Sequence, residues 1–222
     1  MAPELALHTY LQLAQRQLTN LGTYSDLTVI EADLPGTAQH GRYELRRSFS
    51  APKSLVFAAI RFAGDGFVKT NIIVRLLQSE VDHVQKGEGR NTAITADNYK
   101  FSFKRVDSIG DQPVYVYQLK PRRKRPGLFK GRIYVDVFTG RLRRAEGVLV
   151  KSPSIFVKRV EFVQDYGEVA GFSLPVRVHS ITKTRLFGRA VVDITHSAYQ
   201  AEPLTERQSD GSSTPAAGPS SN

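Results

Sequence analysis

The residue types that most often carry out chemistry are scattered along this sequence without a recognisable catalytic spacing. Cysteine is absent, and no two histidines stand at the i,i+4 or i,i+2 spacing that presents two metal ligands on one face of a helix or strand. Glu161 and Asp165 form a carboxylate pair of the kind that strand-rich proteins show by chance. No glycine-rich phosphate loop, nucleophile elbow or dinucleotide fingerprint is present. The sequence therefore predicts a protein that is not an enzyme and needs no metal or cofactor, with its histidines at surface or packed positions: His8, His40, His83, His179 and His196.

Basic charge is the strongest chemical signal, and one segment carries most of it. The formal net charge is +10, and between residues 120 and 144 ten Lys and Arg residues are accompanied by a single acidic residue, Asp136. The densest part, 120–127, contains two prolines and ends in Pro-Gly, which is typical of an exposed loop. The candidate contacts for an anionic head group or an acidic partner are Lys120, Arg122, Arg123, Lys124, Arg125, Lys130, Arg132, Arg141, Arg143 and Arg144.

Three interpretations of this basic segment remain open. It is a solvated hairpin loop that aids solubility, a surface for anionic lipid or an acidic partner, or a nucleic-acid-binding surface. No recognised nucleic-acid motif accompanies the charges, which makes the third interpretation the weakest.

Composition places the chain among folded globular proteins. A hydrophobic content of 41% is ordinary for such proteins, and the longest apolar runs are too short to cross a bilayer as a helix. The N-terminus lacks the cationic start and the apolar core of a secretory signal. This indicates either a cytoplasmic protein or an envelope protein whose signal is missing from this sequence.

Helical periodicity appears twice. From 4 to 21, Leu7, Leu11 and Leu18 fall on one face, and Gly22 is expected to end the helix in the left-handed conformation. A second helix is expected after a cap at Thr70 or Asn71 and before Gly87. Its apolar positions are Ile72, Ile73, Leu76, Leu77, Val81 and Val84.

The rest of the chain shows the two-residue period of strands, interrupted by turn residues. About ten strands are predicted, at 23–34, 42–50, 54–62, 98–104, 114–119, 130–138, 141–150, 155–165, 172–182 and 189–199. A sheet of this size twists and curls, so the predicted fold is mainly β (α+β): a strongly curved antiparallel sheet or unclosed β-barrel with two amphipathic helices on its concave face. We expect a single domain over 1–201 and a disordered low-complexity tail over 202–222.

Aromatic residues recur on the same faces of the predicted strands. They form the core beneath the two helices, or they line an apolar cavity that two helices cannot fill. The candidate ligand-binding residues are Leu7, Leu11, Tyr43, Leu45, Phe57, Ile72, Leu76, Tyr99, Phe101, Phe103, Tyr115, Tyr117, Ile133, Val135, Phe156 and Phe162.

Three stretches of the sequence carry a family resemblance: 117–121 (YQLKP), 131–136 (GRIYVD) with Thr139 and Gly140, and 166–175 (YGEVAGFSLP). Together they resemble the LolA-like superfamily of bacterial envelope lipoprotein carriers. The resemblance covers roughly 4–200 and is strongest to outer-membrane lipoprotein-sorting-like proteins. It implies an unclosed barrel whose concave side, lidded by helices, holds acyl chains.

The resemblance therefore implies a monomeric, non-catalytic carrier of a lipid or lipidated protein in the periplasm or cell envelope, with its basic loop near an anionic membrane surface. Two alternatives stay open: an envelope sensor or protein-interaction module of the same fold, and a basic nucleic-acid-binding module.

Overall fold

Ten strands make up most of the protein, and the computed structural model describes residues 1–152, 157–185 and 188–204. In chain order the strands are β1 (Leu21–Leu34), β2 (Gln39–Ser50), β3 (Ser54–Gly64), β4 (Tyr99–Ile109), β5 (Gln112–Pro121), β6 (Phe129–Asp136), β7 (Leu142–Leu149), β8 (Val157–Val169), β9 (Phe172–Thr184) and β10 (Arg189–Pro203). This confirms the predicted number of strands.

All ten strands belong to one antiparallel sheet, in the order β3-β2-β1-β10-β9-β8-β7-β6-β5-β4. Every pair of adjacent strands is consecutive in sequence except one, in which β1 pairs with β10 and Ile30 lies opposite Ile194. β3 and β4 are the two edges and do not pair with each other, so the sheet curves without closing. The predicted fold class, a curved antiparallel sheet that forms an unclosed barrel, is confirmed.

The helices lie before β1 and between the two edge strands. α1 (Pro3–Asn20) precedes the sheet, and the second helical segment consists of α2 (Gly66–Val68), a π-helical turn (Lys69–Ile73), α3 (Val74–Gln85) and α4 (Gly89–Thr92). Among the described residues, no helix has both the length and the apolar character needed to cross a membrane.

Two predicted helix boundaries are wrong. Gly22 does not end α1, because Leu21 is already extended and begins β1. A Cβ at Gly22 would lie 2.8 Å from the backbone nitrogen of Leu204, so the glycine permits close approach to the end of β10. The second segment begins at Gly66, and Thr70 and Asn71, which were predicted to cap it, lie inside the π-helical turn.

The helices divide the concave face of the sheet into two apolar cores. The first core lies under α1 and contains Tyr10, Tyr99, Tyr117, Leu119 and Ile133 among its buried residues. The second core lies under the second helical segment and contains Ile30, Leu45, Val68, Ile73 and Ile194. Strand residues that point inward alternate with outward ones, as the two-residue period requires.

The predicted limit between domain and tail falls inside a strand. β10 continues to Pro203, two residues past the predicted boundary at 201. The remainder of the predicted tail, 205–222, lies outside the described residues. The single domain over 1–201 and the disordered tail therefore stay predictions.

Candidate functional site

α1 lies across the concave face and is fastened to it by hydrogen bonds at both ends. At its N-terminal end the Tyr117 hydroxyl donates to the carbonyl of Pro3 over 2.5 Å. Near its C-terminal end the Gln17 amide donates to the carbonyl of Ser173 (3.1 Å) and accepts from the Ser173 N–H (2.9 Å). Between them the Tyr10 hydroxyl donates to the carbonyl of Ile94 over 2.8 Å. Only Ala6 and Tyr10 of this 18-residue helix are buried, so α1 covers the sheet without being embedded in it.

A cleft of about 230 Å³ remains between α1, the segment that follows α4 and the sheet. Its walls are mixed, because apolar side chains alternate with tyrosine hydroxyls, a glutamine and an arginine. Burial raises the pKa of Tyr10 and of Tyr166 above the ordinary value, so both phenols stay neutral donors. The lining residues are Tyr10, Leu13, Ala14, Gln17, Leu18, Thr92, Ala93, Ile94, Arg141, Leu142, Tyr166, Gly171 and Ser173.

None of the described members of the predicted ligand-binding set lines this cleft, and all of them except Phe103 belong to one of the two cores. The first core holds Leu7, Leu11, Tyr99, Phe101, Tyr115, Tyr117, Ile133, Val135 and Phe162. The second core holds Tyr43, Leu45, Phe57, Ile72 and Leu76. Phe103 is 43% exposed on edge strand β4, where its ring meets those of Tyr115 and Tyr117. Phe156 lies outside the described residues.

The predicted basic patch divides into paired and unpaired charges. Four of its arginines form ion pairs: Arg132 with Glu146 (2.9 Å), Arg141 with Glu168 (3.0 Å), Arg143 with Asp136 (3.0 Å) and Arg144 with Asp165 (2.6 Å). Three of these carboxylates come from outside the segment 120–144, so its sequence alone overstates its free charge. Within the described chain no ion pair is formed by Lys120, Arg122, Arg123, Lys124, Arg125 or Lys130.

A buried polar cluster, which we define as Asp26, Thr28, Arg47, His196 and Tyr199, lies on the concave face beside the second core. Arg47 Nε donates to Asp26 Oδ2 over 2.8 Å, and its terminal nitrogen donates to the Tyr199 hydroxyl over 2.7 Å. The Thr28 hydroxyl donates to Asp26 Oδ1 (2.5 Å) and lies 2.9 Å from His196 Nδ1. Every buried side-chain polar atom in the described chain has a partner.

Hydrogen bonds within the cluster shift the pKa values of Asp26 and His196 in the direction opposite to the effect of burial. Burial alone would raise the pKa of Asp26, but hydrogen bonds from His196, Thr28 and Arg47 and the charge of Arg47 hold it below its ordinary value. Burial lowers the pKa of His196, against the raising effect of Asp26. Two effects act on Glu80 of α3: burial raises its pKa, and the nearby positive charge of Arg47 lowers it. The effect of burial is larger, so the pKa of Glu80 lies above its ordinary value.

Sequence reasoning missed this cluster, although the sequence carries a signal for it. Asp26 and Thr28 occupy the inward positions of β1, in step with the buried residues Ile30, Ala32 and Leu34. Polar residues at inward positions of an alternating strand predict a buried polar network. Across the described residues no group of three or more His, Asp or Glu side chains is arranged to hold a metal ion.

Several solved structures are similar to this chain over most of its length. A LolA superfamily protein from Nitrosomonas europaea is 14% identical, with a TM-score of 0.42, and the match covers 90% of this chain and 96% of that one. A DUF1329 family protein from Desulfovibrio piger is 11% identical, with a TM-score of 0.44, over 94% and 95% of the two chains.

A third structure, the MucA/MucB complex of Pseudomonas aeruginosa, is 9% identical over 89% of this chain and 99% of that one, with a TM-score of 0.29. No protein-family model and no curated protein sequence matches the chain.

Proposed function

We propose that this protein binds an acyl chain of a lipid or a lipidated protein between α1 and the concave face of the sheet, and that it acts in the bacterial cell envelope without catalysing a reaction. The observation that carries the proposal is the cleft of about 230 Å³ with α1 as one wall. The cleft adjoins the first core, so a ligand that entered it would contact apolar side chains as it extended inward.

The contacts that α1 makes with the rest of the chain support its proposed role as a lid that can open. Its apolar residues Leu7, Leu11 and Ala14 pack against the first core while remaining partly exposed. Five hydrogen bonds join α1 to distant parts of the chain: four involve Tyr10, Tyr117 and Gln17, and the Leu204 N–H donates the fifth to the carbonyl of Asn20. Each intramolecular hydrogen bond contributes about 1 kcal/mol, whereas burying one methylene of an acyl chain contributes about 0.8 kcal/mol. A ligand with a dozen or so methylenes can therefore offset the loss of these hydrogen bonds.

A substitution that fills the cleft tests this proposal. Ala14 lines the cleft, and Ala14→Phe places a ring in it. Titration with a fluorescent sixteen-carbon fatty acid should show at least about tenfold weaker binding by the variant, since one extra aromatic ring displaces several methylenes. Native mass spectrometry of the purified protein should show bound lipid that is lost in the variant.

Gln15→Phe is the matched control, because Gln15 is exposed on the same helix and does not line the cleft. Equal binding by Ala14→Phe, Gln15→Phe and the wild type would exclude the cleft as the ligand site. Absence of any fatty-acid binding by the wild type would exclude the carrier function itself.

Edge strand β3 favours a second candidate function, the binding of a protein partner. Val56 and Ile60 are 57% and 58% exposed on it, and residues 54–60 contain no charged residue or proline. Charged residues and prolines usually protect an edge strand against pairing with another chain. The other edge strand, β4, carries Lys100, Lys104 and Arg105. A partner segment could add a strand to β3. A photo-crosslinker at Ile60 should then trap one discrete protein in cells, whereas a crosslinker at the exposed Lys104 should not.

A further inference from the structure

A row of cations crosses the outer face of the sheet near one rim, and the strand register reveals it. Lys100 of β4 lies opposite Lys120 of β5. Further along the same rim, Lys183 of β9 lies opposite both Arg159 of β8 and Arg189 of β10. Lys130 of β6 lies between these groups, opposite Val148 of β7. We call Lys100, Lys120, Lys130, Arg159, Lys183 and Arg189 the basic band.

The sequence does not show this band as a unit. Three members come from 159–189, outside the basic segment 120–144, and Lys100 precedes it. The meander brings them together because every second hairpin turn returns to the same rim. The neighbouring turns add the exposed residues Arg123, Lys124, Lys151 and Arg185 to the same end of the molecule.

The band has almost no internal counter-charge. All six members are exposed, and within the described residues only Arg159 has an ion pair, with Glu161 over 2.8 Å. Like charges directly opposite each other on adjacent strands destabilise a sheet. At the other rim the arginines Arg141 and Arg143 are paired with carboxylates. Five exposed cations without an ion pair among the described residues, together with Arg159, are therefore concentrated at one rim.

We propose that the basic band docks the protein on a bilayer that contains anionic phospholipids. The band spans the seven strands from β10 to β4. Six spacings of about 4.8 Å between neighbouring strands give it a length of about 30 Å along the sheet. An extended surface of negative charge matches this length better than a single phosphate group does. Two positions further in on the same described strands no residue is aromatic: these positions hold Ser102, Gln118, Arg132, Glu161, Ile181 and Val191. Proteins that bind single-stranded nucleic acid, in contrast, interleave basic residues with aromatic rings.

This inference rests on the proposed function and extends it to the site of ligand exchange. A carrier of acyl chains must meet the membrane or the protein that supplies its ligand. Docking through the rim would bring the concave face close to the lipid surface, with the hairpin turns between strands in the head-group region.

Charge reversal within the band tests the proposal. Lys120→Glu with Lys183→Glu changes two exposed residues on separate strands and leaves the ion pairs of the sheet intact. Each basic residue near an anionic surface contributes roughly fivefold to binding, so co-sedimentation with phosphatidylglycerol–phosphatidylethanolamine vesicles should weaken by well over tenfold. Wild-type binding should fall at high salt and be absent with pure phosphatidylcholine vesicles.

Lys53→Glu with Arg75→Glu is the control, because it makes the same change of net charge at exposed positions outside the band. An equal loss in the control, or equal wild-type binding to neutral vesicles, would overturn the proposal. So would binding to duplex DNA that depends on the band without binding to vesicles. Fatty-acid binding measured without vesicles should be the same in all variants, and this separates failure of docking from failure of the carrier function.

Discussion

Arg47 is a charged residue that is only 6% exposed, and its partners are side chains on other strands of the sheet. Asp26 of β1 supplies the opposite charge, and Tyr199 of β10 accepts a further hydrogen bond. The guanidinium also lies 5.1 Å from the centre of the Tyr24 ring, at a distance typical of a cation–π contact. A buried ion pair of this kind depends on both partners, since the loss of one leaves the other uncompensated.

The variant Asp26→Asn should therefore destabilise the protein by roughly 3 kcal/mol, because it leaves a buried guanidinium without its carboxylate. Urea unfolding followed by circular dichroism measures this free energy. Asp33→Asn is the matched control on the same strand, because Asp33 is exposed. A loss at Asp26 no larger than the loss at Asp33 would show that Arg47 finds other compensation.

The cluster also predicts a pH dependence through His196, whose pKa burial lowers from the ordinary value of 6.5. Below that value the His196 side chain binds more protons in the unfolded chain than in the folded protein. The contribution of neutral His196 to the free energy of unfolding is therefore fully present above about pH 6.5 and is lost as the pH falls through the folded-state pKa. Glu80 acts in the opposite direction, because its raised pKa favours the folded state as the pH falls.

Free energies of unfolding at about pH 7.5 and about pH 5.5 test the histidine contribution. The wild type should lose more stability between these values than His196→Gln does. The Glu80→Gln background removes the opposing carboxylate from both proteins. Identical pH dependence with and without the imidazole in that background would contradict the prediction.

At the scale of elements, periodicity predicted the strands and both helical regions, because one face of each is apolar. It failed where tertiary contacts decide. Position 22 requires glycine because Leu204, a residue that is remote in sequence, approaches it closely. The residues that line the cleft could not be predicted, because the sequence shows the apolar face of α1 but not that Leu142 and Tyr166 line a cleft together with it.

A glycine in β6 offers a sharp test of how closely two elements approach. A Cβ at Gly131 would lie 1.9 Å from the carbonyl oxygen of Glu146 and 2.6 Å from the Cα of Gly147. Gly131→Ala should therefore force β6 and β7 apart and destabilise the protein by at least about 2 kcal/mol in thermal or urea unfolding. Gly89→Ala, where no atom lies within 4 Å of the added methyl, should leave the stability nearly unchanged.

For the whole molecule, the pairing of β1 with β10 holds the sheet together, since it joins β1, β2 and β3 to the remaining seven strands. Removing 205–222 should leave the melting temperature unchanged, because the described sheet ends at Pro203. Removing 189–222 deletes β10 and should abolish cooperative unfolding in calorimetry. A cooperative transition in the shorter protein would show that the two parts of the sheet fold independently and would argue against the single domain.

The pairing of β1 with β10 also sets the order in which the protein can form. β1 is made early in synthesis, yet its inner partner consists of residues 189–203. The surface over which α1 lies likewise comes from later strands, β4 to β9. High contact order of this kind slows folding, because a long loop must close before native contacts stabilise it. While the ribosome still holds β10, the emerging chain therefore stays short of its native state and accessible to chaperones.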